Sequence, residues 1–291
     1  MIDFGYIDIH SHTLWGMDDG AGDIESSVEL CRLAHETGTD ILFLTPHIVH
    51  WEDASALYDA REERARYLQN ILNNEGRDLR LVKGFEILCD DDIFDIKYFA
   101  PYTLAESRYI LIEFNFFRTT EEDVSAWCDY LLDNGVVPII AHPERYEFVK
   151  NDIGVIDRLS DKGCLFQINA GSPVGAFGDV ECDVALQMLF NGYVDFIGSD
   201  AHDLRWRTTD IDMFIRDYPE DLEDDLLYIA LRENPEKLLN DENIEPERLG
   251  YLSDYWVLII KKALNKKKSC FLLTKNSNFL KKYHFISLKE K

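Results

Sequence analysis

Residues 40–47, Asp40-Ile41-Leu42-Phe43-Leu44-Thr45-Pro46-His47, set four consecutive apolar side chains directly before Thr-Pro-His. A run that is apolar at every position, not at every second one, marks a strand covered on both faces, as in a parallel sheet. Six further runs behave as strands: residues 6–10, 79–84, 109–113, 136–141, 164–169 and 194–198. Helical patterns lie between them. Residues 24–37 carry Val28, Leu30, Leu33 and Ala34 ahead of Gly38, which suits a helix C-cap. Residues 54–72 are rich in Ala, Arg, Glu and Leu, and the patterns over 121–134 and 154–162 stop at Gly135 and Gly163. About seven strand–helix alternations predict an α/β chain closed into a β/α barrel in preference to an open doubly wound sheet. No Gly-x-Gly-x-x-Gly follows the first strand and no Walker A sequence occurs, so nucleotide-binding folds lose their main support.

The chain has 291 residues, 46% of them hydrophobic and 29% charged, which suits a soluble protein with one sizeable core. No apolar run approaches the roughly 18 residues that span a bilayer. The opening Met-Ile-Asp-Phe-Gly-Tyr has neither a basic nor an apolar region, so no secretory signal is expected and the cytoplasm is the expected location. Acids outnumber bases 55 to 30, a net charge of −25, which disfavours nucleic-acid partners. The last 36 residues reverse that sign with ten Lys and one acid, Glu290, leaving about −34 on the rest. Two regions follow: a body over 1–250, and a Lys-rich tail over 251–291 with Phe271, Phe279, Tyr283 and Phe285 among its lysines. The tail is expected to be disordered, or to touch an anionic membrane surface or an acidic partner. The six Cys form no C-x-x-C pair and read as reduced buried thiols.

The strand ends carry the chemistry. In a parallel β/α barrel the active site lies where strands end. Here the first run leads into His10-Ser11-His12, the second into Thr45-Pro46-His47 and the third into Gly84-Phe85-Glu86. The fourth ends at Glu113, the fifth leads into His142-Pro143-Glu144-Arg145, and the seventh into Ser199-Asp200-Ala201-His202. Residues two apart on an extended segment point the same way, so His10 pairs with His12, and Asp200 with His202. Taken singly, a strand-end His is usually a satisfied polar residue, Glu113 could pair with an Arg, and Asp200 could cap a helix. Eight ligand-type residues at six matching topological positions are too many for that explanation. They also exceed what one ion can use, so two or three divalent ions are expected, with Glu86 the leading bridging carboxylate. Such clusters hydrolyse their substrates, because divalent ions lower the pKa of water. Arg145 and Arg207 follow two of the ligand motifs, and guanidinia there suit a phosphate ester. His50 is expected to face away from the site, and His35 and His284 to be solvated. A phosphocysteine route is not expected, because no C-x5-R sequence occurs.

The segments Ile7-Asp-Ile-His-Ser-His12, Asp18-Asp-Gly-Ala21, Thr45-Pro-His47, Ile110-Leu-Ile-Glu-Phe114, Pro138-Ile-Ile-Ala-His-Pro-Glu-Arg145, Gly171-Ser172 with Phe177-Gly178, and Ser199-Asp-Ala-His202 together resemble the polymerase and histidinol phosphatase (PHP) superfamily. Within it the chain looks like the bacterial manganese-dependent protein-tyrosine phosphatases of capsule and exopolysaccharide loci, over about residues 2–240. The resemblance implies a distorted (β/α)7 TIM-like barrel with a three-metal cluster at the C-terminal strand ends. It implies His10, His12, His47, Glu86, Glu113, His142, Asp200 and His202 as metal ligands. It implies Arg145 and Arg207 as phosphate-binding catalytic residues, with Asp200 and His202 also in the catalytic centre. Manganese is the implied cofactor, although iron, zinc, cobalt and magnesium are compatible with nitrogen and oxygen donors. The implied substrate is phosphotyrosine on a membrane-associated tyrosine kinase that regulates polysaccharide export. Asp18 and Asp19 match a shared acidic turn with no assigned role.

Two departures stand out. Asp203-Leu-Arg-Trp-Arg-Thr-Thr209 replaces the family's Arg followed by prolines, so Arg205 competes with Arg207, and Leu14-Trp-Gly-Met17 differs from the usual loop. Two other functions compete: a small-molecule phosphomonoesterase acting on histidinol phosphate or a sugar phosphate, and a catalytically silent metal-binding regulator.

Overall fold

Every strand of the protein runs parallel to its hydrogen-bonded neighbours among the residues that the computed structural model describes, 4–218, 222, 224–245 and 248. The strands are β1 (Tyr6–Asp8), β2 (Thr39–Leu44), β3 (His47–Ile48), β4 (Arg80–Lys83), β5 (Glu86–Leu88), β6 (Tyr109–Glu113), β7 (Val137–Ala141), β8 (Leu165–Asn169) and β9 (Phe196–Gly198). They form two ladders, β1-β2-β4 and β3-β5-β6-β7-β8-β9. β2 and β3 are one chain line broken at Thr45-Pro46, because proline has no N–H to give to a ladder. β4 and β5 part at Gly84-Phe85 beside that break. The Gly84 N–H still donates to Leu44 O (3.0 Å), and the Glu86 N–H to Pro46 O (3.2 Å). The pairing therefore continues across both breaks, and seven chain lines remain. His47 and Glu86, expected just past strands, instead open β3 and β5, where the ladder resumes.

The first and last lines also meet. The Asp200 N–H donates to His10 O (2.8 Å), the His12 N–H donates to Ala201 O (2.8 Å), and Ser11 bridges Ala201 in parallel. One buried cluster takes Ile7 and Ile9, Phe43, Val82, Leu111, Ile139, Leu165 and Phe196, at least one residue from every line. Side chains alternate across a strand. Leu42 and Leu44, on either side of Phe43, accordingly join a second cluster with Val28, Cys31, Leu68 and Leu72. Each fully buried Leu or Ile stabilises the fold by about 1.5–3 kcal/mol of transfer free energy.

The helices that follow strands are α1 (Ile24–Glu36), α2 (Ala54–Asn74), α3 (Glu121–Asp133), α4 (Glu147–Asn151), α5 (Gly154–Lys162) and α6 (Asp179–Phe190). Their ends have local causes. The Asp23 carboxylate accepts from the Ser26 N–H at the start of α1 (2.8 Å). Thr120 and Asp123 form a capping box at α3. Gly163, at φ +106°, takes the left-handed turn that ends α5. The expected helices over 24–37, 54–72, 121–134 and 154–162 lie within two residues of the observed ones. The five described cysteines are buried, as expected. No helix among the described residues is long and apolar enough to cross a membrane. Contacts gather Met1–Gly250 into one compact unit. The proposed tail over 251–291, with Cys270 and His284, lies outside the described residues.

Candidate metal centre

His10 and His12 stand at the mouth of β1 with both rings fully buried. A Cβ on Gly198, in β9, would sit 2.8 Å from His10 Cβ, so the missing side chain there makes room for the imidazole. Each ring is held from behind. His10 Nδ1 lies 2.7 Å from Gln167 Oε1. The Gln167 amide nitrogen already donates to Ile168 O and to Asn169 Oδ1, so its oxygen is left to accept from His10. His12 Nδ1 lies 2.7 Å from Asp18 Oδ2. His202 Nδ1 lies 2.9 Å from the Asp200 carbonyl. In all three, Nδ1 is held from behind and Nε2 faces forward, the arrangement that metal-binding imidazoles use.

The forward-facing atoms converge. His12, Asp19, His47 and His202 make one group, His10, His12, Glu86 and Asp200 a second, and His47, Glu86 and Glu113 a third. Within each group, one donor atom per residue lies within 4.8 Å of every other. Glu86 Oε2 is 3.1 Å from His10 Nε2, His12 Nε2 and His47 Nδ1 alike. Yet Glu86 Oε2, Asp200 Oδ1, His47 Nδ1 and His202 Nε2 are buried with no hydrogen-bond partner. Buried polar atoms left in that condition cost free energy unless a cation satisfies them. This donor set fits divalent metal.

His142 stands at the rim. Its Nε2 is 2.9 Å from Glu86 Oε1 and 3.9 Å from Glu113 Oε2, and it belongs to none of the three groups. His142 and Asp200 both have left-handed backbones, φ +34° and +51°. Such strain collects at functional sites and costs about 1–3 kcal/mol per residue. The His142 N–H bond to Gln167 O (2.7 Å) and the Asp200 N–H bond to His10 O hold the two residues there.

Electrostatics reinforce the convergence. Burial opposes the charged form of Glu86 and of Asp200, but the neighbouring imidazoles, with Arg207 beside Asp200, hold both carboxyls well below their usual range. Burial likewise opposes charge on His12, and Asp18, Asp200 and Glu86 outweigh it, raising that imidazole well above its usual range. Burial and the neighbouring His12 push His202 down to about 4. Metal binding at such a site displaces protons and is therefore pH-dependent.

Both candidate arginines reach Asp200 Oδ2, Arg145 at 3.3 Å and Arg207 at 2.5 Å. Arg207 Nε also donates to the Asp200 carbonyl (3.1 Å), whereas Arg205 is exposed. Arg145 lies over the rings of Phe116 (4.6 Å) and Phe177 (5.1 Å).

Residues 6–240 match the family model described as capsular polysaccharide synthesis, CpsB/CapC. The chain belongs to this family. Among CpsB/CapC relatives, the tyrosine-protein phosphatase YwqE of Bacillus subtilis (strain 168) is 31% identical over 242 residues, covering 82% of this chain and 93% of the relative. The tyrosine-protein phosphatase CpsB of Streptococcus agalactiae serotype V is 27% identical over 214 residues, covering 68% and 83%. A chain from the crystal structures of YwqE from Bacillus subtilis and CpsB from Streptococcus pneumoniae superposes with a TM-score of 0.71 at 29% identity, covering 84% of this chain and all of that one. Those structures are described as unique metal-dependent tyrosine phosphatases.

In this CpsB/CapC chain all eight expected ligand residues and both arginines gather at one end of the strands. Sequence reasoning missed the supports. Asp18, expected only in an acidic turn with no assigned role, holds His12 and also accepts from the His47 N–H (2.9 Å). Asp19 Oδ1 lies 3.3 Å from His202 Nε2. Gln167 carries no motif, and only its inward position in a fully buried strand could have marked it. His50, expected to face away, lines a cleft beside the cluster.

Proposed function

We propose that this chain is a metal-dependent protein-tyrosine phosphatase of capsule or exopolysaccharide synthesis, acting in the cytoplasm on phosphotyrosine of a membrane-associated tyrosine kinase. The observation that carries it is three overlapping donor groups with orphaned buried oxygens and nitrogens, one of which includes Asp200, the carboxylate that two arginines share. The family description and the relatives' activities support the same reading. We assign His10, His12, His47, Glu86, Glu113, His142, Asp200 and His202 as the metal ligands, with Asp19 added, and manganese as the native ion. We further infer that the seven chain lines close into a distorted (β/α)7 barrel, supported by the shared core cluster and by the hydrogen bonds between His10–His12 and Asp200–Ala201.

Bound divalent ions lower the pKa of water and neutralise charge on a phosphoryl group. The chain's own residues do the rest. Asp18 and Gln167 keep the Nε2 atoms of His12 and His10 aimed at the cluster. Arg145 and Arg207 bind the phosphate's outer oxygens and stabilise the charge that builds up in the transition state. Burial keeps the site's effective dielectric low, which strengthens both effects.

The test is phosphate release from a phosphotyrosine peptide by metal-stripped protein with Mn2+ restored, with His202→Ala as control. Metal-dependent release that the variant loses is the expected result. Release only from histidinol phosphate or sugar phosphates would overturn the tyrosine phosphatase reading. Metal binding without any hydrolysis would point to a silent regulator.

A further inference from the structure

Helix α2 has two working faces. Ala54, Arg61, Ala65, Leu68 and Leu72 point into the protein. Asp53, Ala56, Leu57, Ala60 and Arg64 recur at the same helical spacing on another face and line a cleft of about 630 Å³. One end of this cleft is formed by Asp19, His47 and Glu113, which belong to the metal centre. Gly16, Met17 and the exposed Val49 also line it. Arg64 also lines a second cleft of about 460 Å³, with Trp15, Glu63 and Tyr67. The two therefore run in series along α2, away from the cluster. From Asp53 to Tyr67 the helix advances about 21 Å, the length of about six extended residues.

We propose that this groove holds the polypeptide flanking the phosphotyrosine, and that it selects flanks carrying basic side chains. The inference rests on the phosphatase reading above and names its substrate class more closely. Small residues, Ala56 and Ala60, leave room for a backbone against the helix. Met17, Leu57 and Trp15 offer apolar contact. The charge is asymmetric. Arg64 is already engaged, donating to Gly16 O (2.9 Å) and lying over the Trp15 ring (5.7 Å). Asp53 and Glu63 are exposed and make no ion pair among the described residues. A lysine or arginine in the flank that lies along the groove finds Asp53 in the first cleft and Glu63 in the second, while an acidic flank meets like charge. The strongly acidic body adds to that preference at longer range.

The experiment compares two peptides, one with Lys and Arg around phosphotyrosine and one with Asp and Glu, with the small ester p-nitrophenyl phosphate as reference. The full chain is used with Mn2+, in wild-type form and as Asp53→Lys/Glu63→Lys. Wild type should favour the basic peptide in kcat/KM by about fivefold, the size expected of two exposed charge pairs. The charge-reversed variant should favour the acidic peptide, and its p-nitrophenyl phosphate turnover should match wild type, which reports an intact fold and centre. Equal use of the two peptides by wild type, or an unchanged preference in the variant, would overturn the groove assignment and leave the phosphatase reading standing. Loss of hydrolysis of every ester would overturn the phosphatase reading. Anisotropy of labelled non-hydrolysable phosphonate peptides then still reads the groove: a basic preference that reverses in the variant supports it, and none refutes it.

Discussion

Asp200 divides its two oxygens between two tasks. Oδ1 faces His10 (3.5 Å), His12 (3.4 Å) and His202 (3.6 Å), while Oδ2 accepts from Asn169 Nδ2 (2.7 Å) and meets both guanidinia. Under the proposed function, a change at this carboxylate disturbs metal and phosphate contacts together and says little about either. The supports behind the imidazoles are more informative. Gln167→Met removes the acceptor of His10 Nδ1–H while keeping the volume, and should weaken metal affinity about 10–100-fold; metal titration by calorimetry checks this. Asp8 offers a separate test. Burial raises its pKa to about 6, against opposing hydrogen bonds from Ser199 and His10. The folded chain thus holds a proton that the unfolded chain releases near pH 4. Folded protein binds more protons across that window, so stability falls as pH rises from about 4 to about 6, by up to about 3 kcal/mol. Asp8→Asn should flatten this slope in urea titrations of the metal-free protein; a slope equal to that of the wild type would contradict it.

The elements owe their limits to local chemistry and their function to close approach. Thr120→Ala breaks the capping box of α3 and should cost about 1 kcal/mol in urea unfolding without changing turnover. Gly198→Ala should do the opposite. It intrudes on His10 Cβ and on Gln167 Nε2, 3.1 Å away, so metal affinity should fall more steeply than stability. The two variants, measured by the same pair of assays, separate an end-of-helix effect from a site effect. Helix ends were legible in the sequence at Gly135 and Gly163, because a glycine stop acts on its own neighbours. The breaks after β2 and β4 were not, because Pro46 and Gly84 also fit a loop, and only pairing with adjacent lines returns the chain to a strand.

Across the whole molecule, the centre draws on six strand ends and stores like-charged and lone-pair atoms in contact. Chelation should therefore lower the melting temperature, and Mn2+ should restore it. At a thousandfold excess of metal over Kd the linkage is worth about 4 kcal/mol. A melting temperature indifferent to chelator would argue against metal at this site. Substituting each described cysteine by Ser should leave turnover unchanged, since these thiols are buried and none lies in the donor groups; a single inactive variant would overturn that expectation.

The amino-acid sequence by itself determined the alternation of buried strands and helices, because burial on both faces and capping are written in neighbouring residues. It also determined where the candidate ligands stand, since His10, His12, His47, Glu86, Glu113, His142, Asp200 and His202 all lie where strands finish or resume. Tertiary structure alone decided which of them share a focus, that Arg207 and not Arg205 reaches Asp200, and that Asp18 and Gln167 orient the imidazoles. These pairings join residues far apart in the chain, 157 positions for His10 and Gln167. No local pattern encodes such a distance, and only the packing of the seven chain lines brings it to 2.7 Å.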